Sequence, residues 1–120
     1  MATVKSFTDL EQSKNLVEIL PLESADMHYV RAYFKGKQSD WFIKLGRPIK
    51  SDDIIPCWSL AALLDVLPFP TLSKDKLGSD KVGWMVSVYP DNSRLDSCWH
   101  DNPIDACVSM IIKLHELKML

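Results

Sequence analysis

The chain reads as an α+β domain, an antiparallel sheet of two hairpins with about three helices in the order α-ββ-α-ββ-α. Three observations predict this. Residues 102–120 join a helix-start signal to apolar side chains at helical spacing. Residues 28–45 and 82–99 alternate apolar with polar residues on either side of turn-prone segments. Residues 8–20 and 59–67 each begin with a capping residue and stop at a proline. At 120 residues the chain has room for one core, so residues 1–120 are taken as a single domain.

The C-terminal segment carries the clearest pattern. Asn102 suits the N-cap because its side-chain oxygen can accept from an orphan N–H of the first turn. Pro103 follows where a missing N–H costs nothing, and Asp105 places negative charge near the positive helix end. Asp105, Ser109, Lys113 and Glu116 draw a polar stripe. Ile104, Cys107, Val108, Ile111, Leu114 and the stem of Lys118 oppose it, and Met110, Ile112, Leu117 and Met119 widen the apolar side.

From the other end, residues 1–6 read as loose or as an edge extension. Thr8 with Glu11 fits a capping box, and Leu10, Leu16, Val17 and Leu20 then line a helical face up to Pro21. A hairpin follows across Gly36-Lys37-Gln38-Ser39. That loop pairs Phe34 with Trp41, Ala32 with Ile43 and Val30 with Leu45. One face then carries Val30, Ala32, Phe34, Trp41, Ile43 and Leu45, and the other Tyr29, Arg31, Tyr33, Phe42 and Lys44.

Residues 46–55 read as a polar turn region. Ser59 caps the next helix, with Trp58 and Leu63 placed as a hydrophobic staple and Leu60, Leu63, Leu64 and Leu67 as its buried stripe. Residues 68–81 form a long connection, either mobile or a functional flap. The second hairpin turns at Pro90-Asp91-Asn92-Ser93 and opposes Val88 with Leu95, Val86 with Ser97 and Trp84 with Trp99.

Composition is that of an ordinary soluble globular protein, 47% hydrophobic and 25% charged, with neither a transmembrane-length apolar run nor a signal-peptide profile. An odd count of three cysteines points to reduced thiols inside a cell, hence a cytoplasmic setting. Net charge of −2 exerts no global pull on nucleic acid or membrane. The distribution is uneven. Between residues 27 and 50 stand Arg31, Lys35, Lys37, Lys44, Arg47 and Lys50 against Asp40 alone, so the remainder is acidic.

Candidate chemistry is sparse. Asp96, Cys98 and His100 alternate along one strand face, a set that supplies a thiol, a histidine base and a carboxylate to steady it. Their spacing of about 6.6–7 Å along a face exceeds the reach of a nucleophile–base hydrogen bond. No set of four ligands is spaced for structural zinc, and Cys107 and His115 lie roughly 12 Å apart along their helix. The four glycines form no phosphate loop, so no metal or cofactor is expected. What remains is a surface. Tyr29, Arg31, Tyr33, Phe42, Lys44 and Arg47 would share an aromatic and basic face. Such a face suits a protein partner or self-association, or, as the alternative, single-stranded nucleic acid; the first helix covering it is the structural reading.

Two runs carry a resemblance: Cys57-Trp58-Ser59-Leu60-Ala61-Ala62-Leu63-Leu64, closed by Leu67-Pro68, and Asp101-Asn102-Pro103-Ile104-Asp105-Ala106-Cys107. They resemble uncharacterised small proteins encoded in prophages and mobile elements of gut Bacteroides-type bacteria. The resemblance implies a bacterial cytoplasmic setting and an accessory role in phage biology, and brings no catalytic residue. The expected function is therefore a phage-associated accessory protein acting as a non-enzymatic protein-interaction module. The alternatives are a single-stranded nucleic-acid binder using the same face and a small thiol-dependent enzyme using Cys98 and His100.

Overall fold

The computed structural model describes residues 5–78 and 80–120. The chain is α+β, with three α-helices and antiparallel sheets among the described residues. Helix α1 spans Leu10–Leu16. Its cap is Asp9, whose carboxylate accepts from the Gln12 N–H at 2.8 Å while the Gln12 side chain accepts from the Asp9 N–H at 3.1 Å. The capping box therefore sits one residue beyond the expected Thr8–Glu11 pair. Burial is the reason: Thr8 is enclosed, its Oγ1 hydrogen-bonded to Ser13 at 2.8 Å and accepting from the Trp58 N–H at 3.1 Å. The exposed carboxylate takes the cap because Thr8 is already satisfied inside. Of the expected α1 face, Leu16 and Leu20 are buried, and Val17 turns outward. The reading of residues 1–6 falls largely on residues 1–4, outside the described residues; Ser6 accepts from the Leu60 N–H at 3.4 Å.

Five strands follow: β1 (Met27–Val30), the hairpin strands β2 (Tyr33–Phe34) and β3 (Lys37–Gln38), then β4 (Phe42–Leu45) and β5 (Ile54–Cys57). Strands β4-β1-β5 run in that order, all antiparallel, and β2 pairs with β3 separately. The hairpin turns at Lys35-Gly36, both with positive φ (51° and 77°), a two-residue turn instead of the expected four-residue loop. That early turn changes the register. Tyr29 pairs with Ile43 and Val30 with Phe42. The expected pairing of Val30 with Leu45 is off by three, an odd slip that reverses the relation between the strands' faces. Residues 46–55, expected as a turn region, end in Ile54 and Ile55, the first half of β5, which closes the sheet on the far side of β1.

Helix α2 (Leu60–Val66) starts as expected at Ser59, whose Oγ accepts from the Ala62 N–H at 3.3 Å and also donates to the Asp26 carboxylate. Trp58 and Leu63 are both fully buried. The supposed flap is a strand: β6 (Thr71–Lys76) pairs along its length with β7 (Val82–Val88), followed by β8 (Leu95–Asp96). Its alternation is hidden by charge because β6 is an edge strand; Lys74 extends over the Trp84 ring at 5.1 Å. Val88 pairs with Leu95 as expected, but Trp84 meets His100, one residue beyond the expected Trp99. The cause lies at Ser97. Its hydroxyl accepts from the Val86 N–H at 3.0 Å in place of a ladder carbonyl, and an extra residue follows.

Helix α3 (Pro103–Glu116) opens on Asn102, which accepts from the Asp105 N–H at 2.9 Å. It packs on β7 and α2, burying Ile104, Cys107, Met110, Ile111 and Leu114 completely. The helix ends at Glu116, short of the expected Leu120; Lys118 has a positive φ of 59°, and Leu117 and Met119 are exposed instead of joining the apolar side. The core is drawn from α1, α2, β7 and α3, and no residue of 31–50 belongs to it.

Candidate functional site

Residues 31–50 form an arm. Within them Pro48 alone is buried, while Leu45 is 83% exposed, Phe34 75%, Ile49 70% and Tyr33 58%. Isolated apolar residues on a surface are ordinary; here these four large ones stand exposed within one basic segment. Phe34 and Leu45 were expected on the buried face. Their positions explain their exposure: Leu45 lies opposite buried Met27 but on the edge strand β4, and Phe34 flanks the turn at the tip of the β2–β3 hairpin.

The expected site residues do not share one face. Opposed residues in an antiparallel pair point to the same side, so Tyr29 shares its side with Ile43, Ile55, Met27 and Cys57. That side looks toward α1: the Tyr29 hydroxyl donates to the Thr8 carbonyl at 2.8 Å. Burial, and then the neighbouring Cys57, push the Tyr29 hydroxyl up to about 12. Phe42 and Lys44 point to the opposite side, with Val30 and His28. Here the expectation that Tyr29, Phe42 and Lys44 stand together is corrected, for the same reason as the register.

Arg31 and Tyr33 converge on Asp53, whose Oδ1 accepts from Arg31 Nε at 3.2 Å and from the Tyr33 hydroxyl at 3.2 Å. Gln38 Nε2 donates in turn to the Tyr33 hydroxyl at 2.6 Å, which ties the hairpin to the start of β5. Cations lie over the arm's rings: Arg31 over Trp41 at 4.6 Å, Lys35 over Phe34 at 5.5 Å and Lys44 over Phe42 at 5.9 Å. Among the described residues Lys35, Lys37, Lys44, Arg47 and Lys50 have no carboxylate within ion-pair distance. Arg47 is set apart, on the rim of an open cavity of about 350 Å³ that Glu23, Asp26 and Asp65 also line.

The thiol constellation does not assemble. Asp96 accepts from Ser87 at 2.6 Å and from Arg94 at 2.7 Å, and these two hold its carboxyl below the usual range. Cys98 is exposed, and among the described residues no hydrogen bond joins it to His100, whose Nε2 is buried without a partner. Cys57 and Cys107 are enclosed; burial raises both thiols, Cys107 to about 12, so neither is a thiolate at neutral pH. No group of three or more His, Cys, Asp or Glu among the described residues is placed to hold a metal ion, and no helix is long and apolar enough to cross a membrane. The arm is thus the feature with the most to offer a ligand. Sequence reasoning missed Phe34, Leu45 and Ile49 as part of it, although the glycines and cations around all three were the available signal. No family model matches the chain, and neither a curated protein nor a solved structure matches it.

Proposed function

We propose that the protein is a non-enzymatic interaction module that binds another protein through the arm of residues 31–50. One observation carries this reading: the arm adds nothing to the core, yet displays Tyr33, Phe34, Phe42, Leu45 and Ile49 among unpaired cations. Aromatic side chains beside arginine and lysine stems supply large contact area at small entropic cost. The setting we take for it is that of a phage-associated accessory protein in the bacterial cytoplasm, on the resemblance of residues 57–68 and 101–107. A single-stranded nucleic-acid binder would use bare ring faces for stacking. Cations beside Trp41, Phe34 and Phe42 make the arm a poorer stacking platform and favour a protein.

The test compares the parent chain with a Phe34→Ser/Leu45→Ser variant, both used as bait in their native cells at matched abundance. A protein retained by the parent and lost with the variant, while both unfold at the same urea concentration, supports the reading. Identical sets of retained proteins contradict it.

A further inference from the structure

We infer that the outer edge of β4 takes up an extended, acidic segment of another protein as an added strand. This rests on the reading of the arm as a protein-binding surface, and it names the chemistry of what is bound. Among the described residues strand β4 pairs with β1 alone. One step beyond their ladder, the Gly46 N–H donates to the Asp26 carbonyl at 2.9 Å. Bonded and non-bonded pairs alternate along an antiparallel ladder. Lys44 and Phe42 therefore turn their backbone groups toward β1, and Leu45 and Ile43 turn theirs outward. The far side of β1 agrees: Arg31 N–H donates to the Asp53 carbonyl at 3.4 Å, so the odd-numbered residues of β1 face β5.

Among the described residues no turn, loop or cap hydrogen bond engages the backbone of Ile43 or Leu45. Their N–H and C=O groups form a template for strand addition. The outer edge of β6 is different in kind. Its exposed residues are Thr71, Lys74, Asp75 and Lys76, with no exposed apolar side chain within the strand, which is how sheet edges are kept single.

Charge selects the guest. Within or just after β4 in the chain stand Lys44 and Lys50, with Lys35 and Lys37 at the hairpin tip. Edge-to-edge pairing of two copies would set this cationic segment against itself, and like charges across a strand pair repel. An acidic strand is attracted. Residues of the guest opposite Phe42 and Lys44 share their face and are best acidic; those opposite Ile43 and Leu45 are best apolar.

The full chain is titrated with an end-blocked octapeptide alternating glutamate and valine, while amide exchange is followed by NMR and mass by light scattering. Expected are a monomeric chain that binds this peptide, slowed exchange at the Ile43 and Leu45 amides, and affinity reduced about tenfold or more by Leu45→Pro. That proline removes an outward N–H and no bond to β1. Lys44→Glu should weaken binding similarly, which covers the case of a Leu45→Pro chain that does not fold. A peptide with lysine replacing glutamate should not bind.

Binding of the acidic peptide without slowed exchange at Ile43 and Leu45 overturns strand addition and leaves the protein-binding arm standing. So does absence of peptide binding when the arm still retains a protein in the bait experiment. A dimer broken by Lys44→Glu makes a second copy the occupant and overturns the acidic guest. Tight binding of oligothymidylate, with none of the peptide, overturns both readings.

Discussion

Tyr29 and Phe42 stand on neighbouring strands of one sheet and point to opposite sides of it. Tyr29 anchors the sheet to the start of α1 through the Thr8 carbonyl, and Phe42 belongs to the reverse side beside Lys44. Substitution should separate the two roles. Tyr29→Phe removes the stronger of two donors to the Thr8 carbonyl, leaving the Cys57 thiol at 3.4 Å, and should cost about 0.5–1.5 kcal/mol. Phe42→Ser should change stability by no more than about 0.5 kcal/mol, as for a surface site. Urea denaturation of both variants measures the difference.

A second prediction concerns the junction of the two helix starts. Asp105 accepts from Gln12 Nε2 at 2.8 Å, from Asn102 Nδ2 at 2.8 Å and from Lys5 at 3.1 Å. Burial works against its ionisation, yet these donors outweigh burial and hold its carboxyl below the ordinary 3.8. Asp9 is held low likewise, burial being outweighed by the Gln12 N–H and Lys5. In the unfolded chain both carboxylates take up protons more readily. Their contribution is therefore complete above the ordinary value and lost as pH falls through the folded values. Stability should decline below about pH 4, and Asp105→Asn should flatten that decline. Lys5 has the opposite sense. Burial lowers it, but Asp9 and Asp105 raise it above 10.5, so its share is present below that value and lost as pH rises through the folded one. Urea midpoints across pH read both limbs.

The end of α3 at Glu116 gives a third. Ile111 is enclosed, and Ile111→Ala should cost about 2–5 kcal/mol, whereas Leu117→Ala should lie within about 0.5 kcal/mol of the parent. Thermal unfolding of the pair decides it. A large loss from Leu117→Ala would extend the core beyond the helix.

Helices were legible because their signals are local. Asn102, Pro103 and Ser59 cap or start α3 and α2 from within a few residues, and proline ends α2 wherever tertiary contacts fall. The sheets were less so. Whether Phe34 is core or surface depends on a turn placed one residue earlier, at Lys35-Gly36, and on which strand closes the far side of β1. Residues 52–57 read Asp-Asp-Ile-Ile-Pro-Cys, and a proline there argues against a central strand; β5 admits it because the far side of β1 is a short, terminal position in the sheet. The basic character of residues 27–50 was plain in the sequence. What was not visible was that the Tyr29 ring turns inward, since a hydroxyl paired with Thr8, twenty-one residues away, leaves no local trace.

Thiol chemistry supplies a fourth prediction. In the native chain an alkylating reagent should modify Cys98 promptly, and reach Cys57 and Cys107 only as the protein unfolds. Cys98→Ser should abolish the native reaction without moving the urea midpoint. Prompt alkylation of Cys57 would mean that the Thr8–Ser13–Cys57 cluster opens under native conditions.

The most direct measurement places a photoreactive amino acid at Leu45 and, in a second chain, at Glu116 on the exposed end of α3, with irradiation in native cells. A discrete protein adduct from position 45 and none from 116 is the predicted result. Equal adducts at both positions, or an adduct at 45 that nuclease removes, would contradict an arm built to hold a protein.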